Sequence, residues 1–327
     1  MIHYIHRNIQ RRYDMDFATL KKSAGSIDRI TAELKKQNET GNERTEDTTF
    51  WKLERDKAGN GSAVIRFLPA AAADGDAGLP WVRVWDHGFK GPTGKWYIEK
   101  SITTLGQKDP VSEYNSMLWN ASQDDNSPQR KQARDQKRRL SYISNILVIS
   151  DPKNPANNGK VFKFKFGKKI FDKIHNCIEP PFDDMGVAKD APGYNPTNAF
   201  IPFDLWKGAN FRLRCRMVAG YPNYDESTFD TPAPISSDDS KLEEIWKSEH
   251  SILAEIAPDK FKSYAELKKR LDDVLELSNA APKAVDAYAN AVAAKKAQTL
   301  AETIDDEIPN FDDEDDDLKQ FKALAGA

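Results

Sequence analysis

Between Arg130 and Lys173 the chain sets thirteen Lys or Arg against three Asp (Asp135, Asp151, Asp172), and it interleaves those cations with rings. Most of them lie in KRRLSYISNILVISDPKNPANNGKVFKFKFGKKIFDK, residues 137–173. Positive side chains neutralise phosphates and flat rings stack on bared bases, so this mixture suits an unpaired nucleic-acid strand. Lys137, Arg138 and Arg139 run directly into an apolar segment that would hold their charges on a rigid edge, and Tyr142 follows as a ring. A charge run is as often a plain solvated face. In VFKFKF (161–166) the period of a strand puts Phe162, Phe164 and Phe166 on one face and Lys163 and Lys165 on the other. Period alone does not say which ring meets a groove and which fills a core. Arg66 alternates with Ile65 and Phe67 in AVIRFLP, so it is expected on an outward sheet face, as a structural arginine or as a phosphate partner.

Other chemistries find little support. There is no GxxxxGK[ST] to cradle a phosphate, no HExxH and no GxSxG, and only five His are present. The acidic run DDEDDD (312–317) could hold cations loosely but offers no fixed geometry. The reading is therefore a binding protein, with no enzyme activity and no cofactor.

The formal charge of -3 hides an asymmetry. Ten acids between Glu302 and Asp317 face only Lys319 and Lys322 over the last stretch of chain, and a tail of this kind can compete for a cationic groove or recruit proteins. Two cysteines, Cys177 and Cys215, give no disulfide framework and suit a reducing compartment. No apolar run approaches the length of about 18 residues needed to cross a bilayer, so no membrane partner is expected. Met15 offers an alternative start, which would make residues 1–14 an upstream extension.

These groups need a scaffold. Residues 15–36 have helical spacing and 38–49 read as a linker. Strands are expected from Trp51, at 62–69, 80–89, 94–100, 141–150, 161–166 and 210–220. Arg212, Arg214 and Arg216 share one face of the last of these. Residues 106–136 read as polar and irregular, with a partly helical stretch in 123–137. Helices are expected at 167–178, 241–257 and 263–277, and 179–202 as a loop. From Ser278 the chain has little to bury and is expected to be disordered. The fold class is mainly β with helical additions (α+β), as a small barrel.

Several segments carry a family resemblance: WKLERDKAGNGSAVIRFLP (51–69), DHGFKGPTGKWYIE (86–99), KRRLSYISNILVISDP (137–152), GKVFKFKFGKKIFDKI (159–174), GYPNYDES (220–227) and, more weakly, KFKSYAELKKR (260–270). In this order they resemble the gene 32 type, helix-destabilising single-stranded DNA-binding proteins of T-even bacteriophages. The resemblance implies a five-stranded OB barrel with an added subdomain and a helical C-terminal part of the core. It implies a basic arm in 1–44 for cooperative self-association, a DNA-binding core in 45–277, and a partner-recruiting tail in 278–327. The DNA cleft would use Arg66, Arg138, Tyr142, Phe164, Tyr221 and Tyr224, with Lys137, Arg139, Lys163 and Lys165 adding charge. Phe164 stands where the family can have Tyr, Tyr221 where it can have Phe, and Ile143 replaces a Trp. Lys21, Lys22 and Ser23 match the arm motif. Asp312, Asp313, Glu314, Asp315, Asp316 and Asp317 would serve the tail, whose implied partners are a polymerase, a helicase loader and a recombination mediator in the cytoplasm of the infected bacterium.

One departure concerns metal. The family pattern has a zinc site of one His and three Cys. Here His87 is kept, while the cysteine positions fall near Ser101, Asp109 and Ser112. No structural zinc is expected, and packing must hold the 100–128 loop. Two alternatives stay open: an RNA-binding translational regulator using the same cleft, and a hub acting mainly through its tail.

Overall fold

A computed structural model describes residues 47–277 of the chain. In chain order the elements are β1 (Phe50–Trp51), β2 (Gly61–Phe67), β3 (Val82–Lys90), β4 (Trp96–Lys100), α1 (Pro110–Asn120), α2 (Pro128–Asp135) and β5 (Arg139–Ser150). There follow β6 (Val161–Phe166), α3 (Lys168–Ile178), β7 (Phe211–Val218), β8 (Tyr221–Asn223), β9 (Thr228–Phe229), α4 (Asp239–Lys247) and α5 (Tyr264–Leu275). The result is a sheet-dominated α+β fold.

β5 organises the sheet because its twelve residues are shared among three neighbours. Along one edge it pairs antiparallel with β6, from Tyr142↔Phe166 to Leu147↔Val161. Along the other edge its first half pairs with β3 (Trp85↔Leu140, Arg83↔Tyr142) and its second half with β2 (Phe67↔Ile146, Ile65↔Val148). β2 continues to β7, β7 to β8 and β9, β3 to β4, and β6 takes β1 in parallel. The expected five-stranded barrel is corrected here: among the described residues no pairing joins the ends, and the sheet is open.

Period-two geometry divides β5 into two faces. The Tyr142 face continues through Ile146 and Val148 into the main core, where Ile65, Phe67, Phe164, Phe166, Phe211 and Leu213 meet Ile170 and Ile174 of α3. Ile170 and Ile174 stand four apart, so one stripe of the helix lies on the sheet. A second core holds Phe89 and Tyr97 from the β3–β4 hairpin against Val111 of α1 and Leu267, Leu271 and Val274 of α5. The hairpin turn approaches α5 so closely that a Cβ on Gly91 would lie 2.1 Å from the Val274 carbonyl oxygen.

The Arg139 face is covered by the C-terminal part of the chain. Ile252 packs on Val82, Val84 and Ile143, Leu242 packs with Leu147, Leu68 and Leu205, and the Asn145 side chain exchanges two hydrogen bonds with the His250 backbone (2.8 and 3.1 Å).

Local differences from the sequence reading have local causes. α1 lies inside the segment read as irregular; its start is fixed by the Asp109 side chain capping Val111 and Ser112, with Pro110 in the first turn, and Val111, Tyr114 and Leu118 recur at helical spacing. The helix expected over 241–257 stops at Lys247, and residues 249–256 instead lie along the sheet. α5 starts at a capping box of Ser263 and Glu266. The strand from Trp51 is only two residues long.

Candidate nucleic-acid interface

The face of β5 that bears Tyr142 also carries Leu140, with Arg138 just before the strand, and β3 places Arg83 opposite Tyr142 and Trp85 opposite Leu140. Paired residues point to the same side of a sheet, so Arg83, Trp85, Arg138 and Tyr142 share one surface. Arg83 is exposed, and Trp85 and Arg138 are half-buried. The Arg138 guanidinium lies over the Trp85 ring at 4.4 Å.

Tyr142 marks where this surface dives into the core. Its ring is 6% exposed and stacks on Phe171 of α3 at 3.8 Å with the planes 3° apart. Phe171 in turn meets Trp81 edge-on at 5.4 Å. Cations and rings thus alternate from Arg83 and Trp85 through Arg138 to Tyr142 and Phe171.

α3 links this surface to the second aromatic segment. Lys173 donates to the Asp225 carbonyl at 2.9 Å, and Lys169 lies 3.9 Å from the Asp225 carboxylate, tying the helix to the loop after β8. Tyr221 in that hairpin is 60% exposed, which leaves its ring open for stacking. Tyr224 is half-buried against the main core, and burial, with Cys215 beside it, pushes its hydroxyl up to about 12. Lys137 is half-buried one residue before Arg138.

The remaining residues named from the sequence lie elsewhere. Arg66 is on the face opposite Ile65 and Phe67, as alternation requires, but that face is not outward. The side chain is 1% exposed, and its Nη2 donates to the Asp204 carbonyl (2.8 Å) and the Ala233 carbonyl (3.0 Å). Burial lowers its pKa to about 10, which still leaves it charged at neutral pH. Gly208 allows this: a Cβ there would sit 2.9 Å from the same Nη2 and 2.4 Å from the Asp204 carbonyl oxygen. Phe164 is 6% exposed, edge-on to Trp51 at 5.3 Å, so this ring of VFKFKF fills the core.

The lysines of VFKFKF belong to the Arg139 face, since β6 pairs Lys165 with Ile143 and Lys163 with Asn145. Lys163 is buried against Glu255 and sits 4.3 Å over the Phe50 ring. Lys165 is exposed and donates to Asp86 at 2.6 Å. Arg139 is exposed and donates to the Gly88 carbonyl at 3.2 Å. The cations of the 137–165 stretch are therefore split between two sides of one sheet. The arm residues Lys21, Lys22 and Ser23 and the acids from Asp312 to Asp317 lie outside the described residues.

Sequence reasoning passed over Arg83, Trp85 and Phe171. The signal was present in PWVRVWDHGF (80–89), where arginine and tryptophan occupy alternate positions. Their relation to Tyr142 depends on the β3–β5 register, which no local pattern encodes.

A family model described as "gp32 DNA binding protein like" matches residues 59–275. The chain is 38% identical over 282 residues to a single-stranded DNA-binding protein of Enterobacteria phage T4, covering 84% of each chain. It is 38% identical over 286 residues to its namesake in Enterobacteria phage T2, covering 84% of this chain and 85% of that one. A single-stranded DNA-binding protein of Escherichia phage SV14 is 45% identical over 91 residues, 26% of this chain and 77% of the relative. These are DNA-binding proteins and not enzymes, in keeping with the catalytic motifs missing from the sequence. A sheet surface of alternating cations and rings, joined to matches over most of the chain, leads to one assignment: the protein belongs to the gp32-like DNA-binding family.

Proposed function

We propose that the protein binds single-stranded DNA stoichiometrically and with little sequence preference, covering strands opened during phage DNA replication, recombination and repair in the cytoplasm of the infected bacterium. The observation that carries this reading is the cluster of Arg83, Trp85 and Arg138 on one sheet surface, with the buried Tyr142 ring at its edge. Phosphates take the guanidinium groups and displace condensed counterions, while bases stack on whichever rings they reach. The same reading adds Lys137, next to Arg138 in the chain, and the exposed ring of Tyr221 to the DNA contacts. A surface of this kind tells one strand from two because stacking needs unpaired bases. Trapping the open strand then lowers the melting temperature of a duplex by mass action.

The same reading assigns DNA binding to residues 45–277 in an OB-type arrangement with an added subdomain. It assigns cooperative self-association to the arm in 1–44, through Lys21, Lys22 and Ser23. The acidic tail in 278–327 recruits replication and recombination proteins. Support for these finer assignments comes from the resemblance and from the charge asymmetry of the chain.

The test is a titration of the full chain with poly(dT), poly(U) and duplex DNA over a range of salt. The expected result is tight binding to poly(dT), with log affinity falling by about 0.7 per neutralised phosphate for each decade of salt. Equal affinity for duplex would overturn the single-strand reading, and preference for poly(U) would favour the RNA regulator.

A further inference from the structure

The four positions that the family resemblance aligns with zinc ligands do converge in space, but around a carboxylate. His87 Nε2 lies 3.4 Å from Asp109 Oδ1. The Ser101 hydroxyl donates to Asp109 Oδ2 at 2.8 Å, and the Ile102 N–H donates to the same oxygen at 3.2 Å. Asp109 Oδ1 accepts from the Val111 N–H (2.9 Å) and the Ser112 N–H (3.3 Å). On its other side the His87 ring places Nδ1 2.9 Å from the Gln136 carbonyl, which can only accept, so Nδ1 carries a proton. His87, Ser101 and Asp109 are each at most 1% exposed.

These residues do not fit zinc. A structural zinc takes four nitrogen or sulfur ligands in a tetrahedron, and here there is one imidazole and no thiolate. Both carboxylate oxygens already receive two donors each, so the lone pairs that would bind a metal are used. Among the described residues no group of three or more His, Cys, Asp or Glu gathers at all. Cys177 and Cys215 lie in α3 and β7, outside this lobe. Burial alone would raise the Asp109 carboxyl, yet the His87 ring beside it and the hydrogen bonds from Ser101 and the Ser112 N–H hold it below the usual range.

We propose that a metal-free knot centred on Asp109 takes the place of the family's zinc and ties together the lobe beside the DNA-binding surface. The knot joins β3 through His87, the turn after β4 through Ser101, the start of α1 through the Asp109 cap, and the end of α2 through Gln136. Gln136 directly precedes the 137–139 cations. The lobe therefore needs neither metal nor reduced thiols to hold its shape. That claim rests on the family assignment for its comparison, but not on the proposed DNA surface.

Elemental analysis and thermal melting of the full chain test it, with and without 1,10-phenanthroline. The expected result is less than about one zinc per ten chains and a chelator-independent Tm. One zinc per chain retained through dialysis, or a Tm that the chelator lowers, would overturn the proposal. The Asp109→Asn substitution is expected to lower Tm by about 5 °C or more, equally with and without chelator. Wild-type melting by that variant would show that the carboxylate holds nothing together. These readouts are independent of DNA, so a failure to bind poly(dT) would refute the functional reading and leave this one standing.

Discussion

The two faces of β5 treat their cations differently. On the Arg139 face they are met by acceptors from within the protein: Lys163 by Glu255, Lys100 by the Glu255 carbonyl at 2.9 Å, Lys165 by Asp86, and Arg66 by two backbone carbonyls. On the Tyr142 face Arg138 lies over a tryptophan, and Arg83 stands exposed opposite a tyrosine. The difference follows from coverage. The 239–260 segment covers the part of the first face that holds Arg66 and Lys163, and a charge taken from water needs a partner there. At the β3 end of the second face Arg138 lies over the Trp85 ring and Arg83 is exposed. Positive charge in a sequence is thus poor evidence of a ligand surface until the covering element is known.

The largest expected effect is on the covered face. Arg66→Met would take one of two donors from the Asp204 carbonyl and the guanidinium from the Ala233 carbonyl, costing about 3 kcal/mol. For a domain of this size that lowers Tm by roughly 6–12 °C, read by calorimetry. Wild-type melting combined with lost DNA affinity would mean that Arg66 leaves its carbonyls for phosphate, and the division between faces would fail.

Glu249 sharpens the contrast, because the covered face also holds an acid in an unfavourable place. Neither of its oxygens makes a well-formed hydrogen bond. Burial pushes its carboxyl up to about 8; the Asn145 amide offsets this in part and Asp74 adds to it. The unfolded chain ionises this group near its ordinary 4.5. A raised folded-state pKa contributes stability that is fully present below the unfolded value and is lost as pH rises through the folded one. Stability should therefore decline between about pH 4.5 and 8 on this account. Glu249→Gln should gain about 1–2 kcal/mol over wild type between pH 6 and 8.5, measured as a Tm difference that widens with pH. A difference constant with pH would mean that Glu249 is ionised in the folded protein.

On the ring-bearing face, Arg138→Ala is expected to weaken poly(dT) binding about tenfold, similarly for all base compositions. It should flatten the salt slope by about 0.7. An unchanged slope would remove Arg138 from the phosphate track. The smallest effect is expected for Lys165→Ala. Its ammonium is exposed and already engaged by Asp86, so affinity should change less than about threefold and stability by less than about 1 kcal/mol. A tenfold loss would place DNA on the Arg139 face as well.

Parts of the fold were legible because they obey local rules. VFKFKF became β6 over the expected six residues, and GKKIFDKIHNCI became α3, since period-two and period-four patterns act within one element. The apolar run of β5 was legible, but its double pairing was not. α1 was overlooked although Val111, Tyr114 and Leu118 recur at helical spacing, because that stripe is set among the polar residues of 106–136. In the candidate site, Arg138 and Tyr142 stood out as a cation followed by a ring. Arg83 and Trp85 did not, because their role depends on sitting across from β5.

The sequence by itself determined the alternation of β2, β6 and β7, the family, and the mixing of cations with rings along 130–173. It could not determine which side of that alternation would be closed. That choice rests on contacts between distant residues: Lys163 with Glu255, Arg66 with Asp204 and Ala233, and Asn145 with His250. Alternation is a property of neighbouring backbone units, whereas burial is a property of whatever the rest of the chain lays on top.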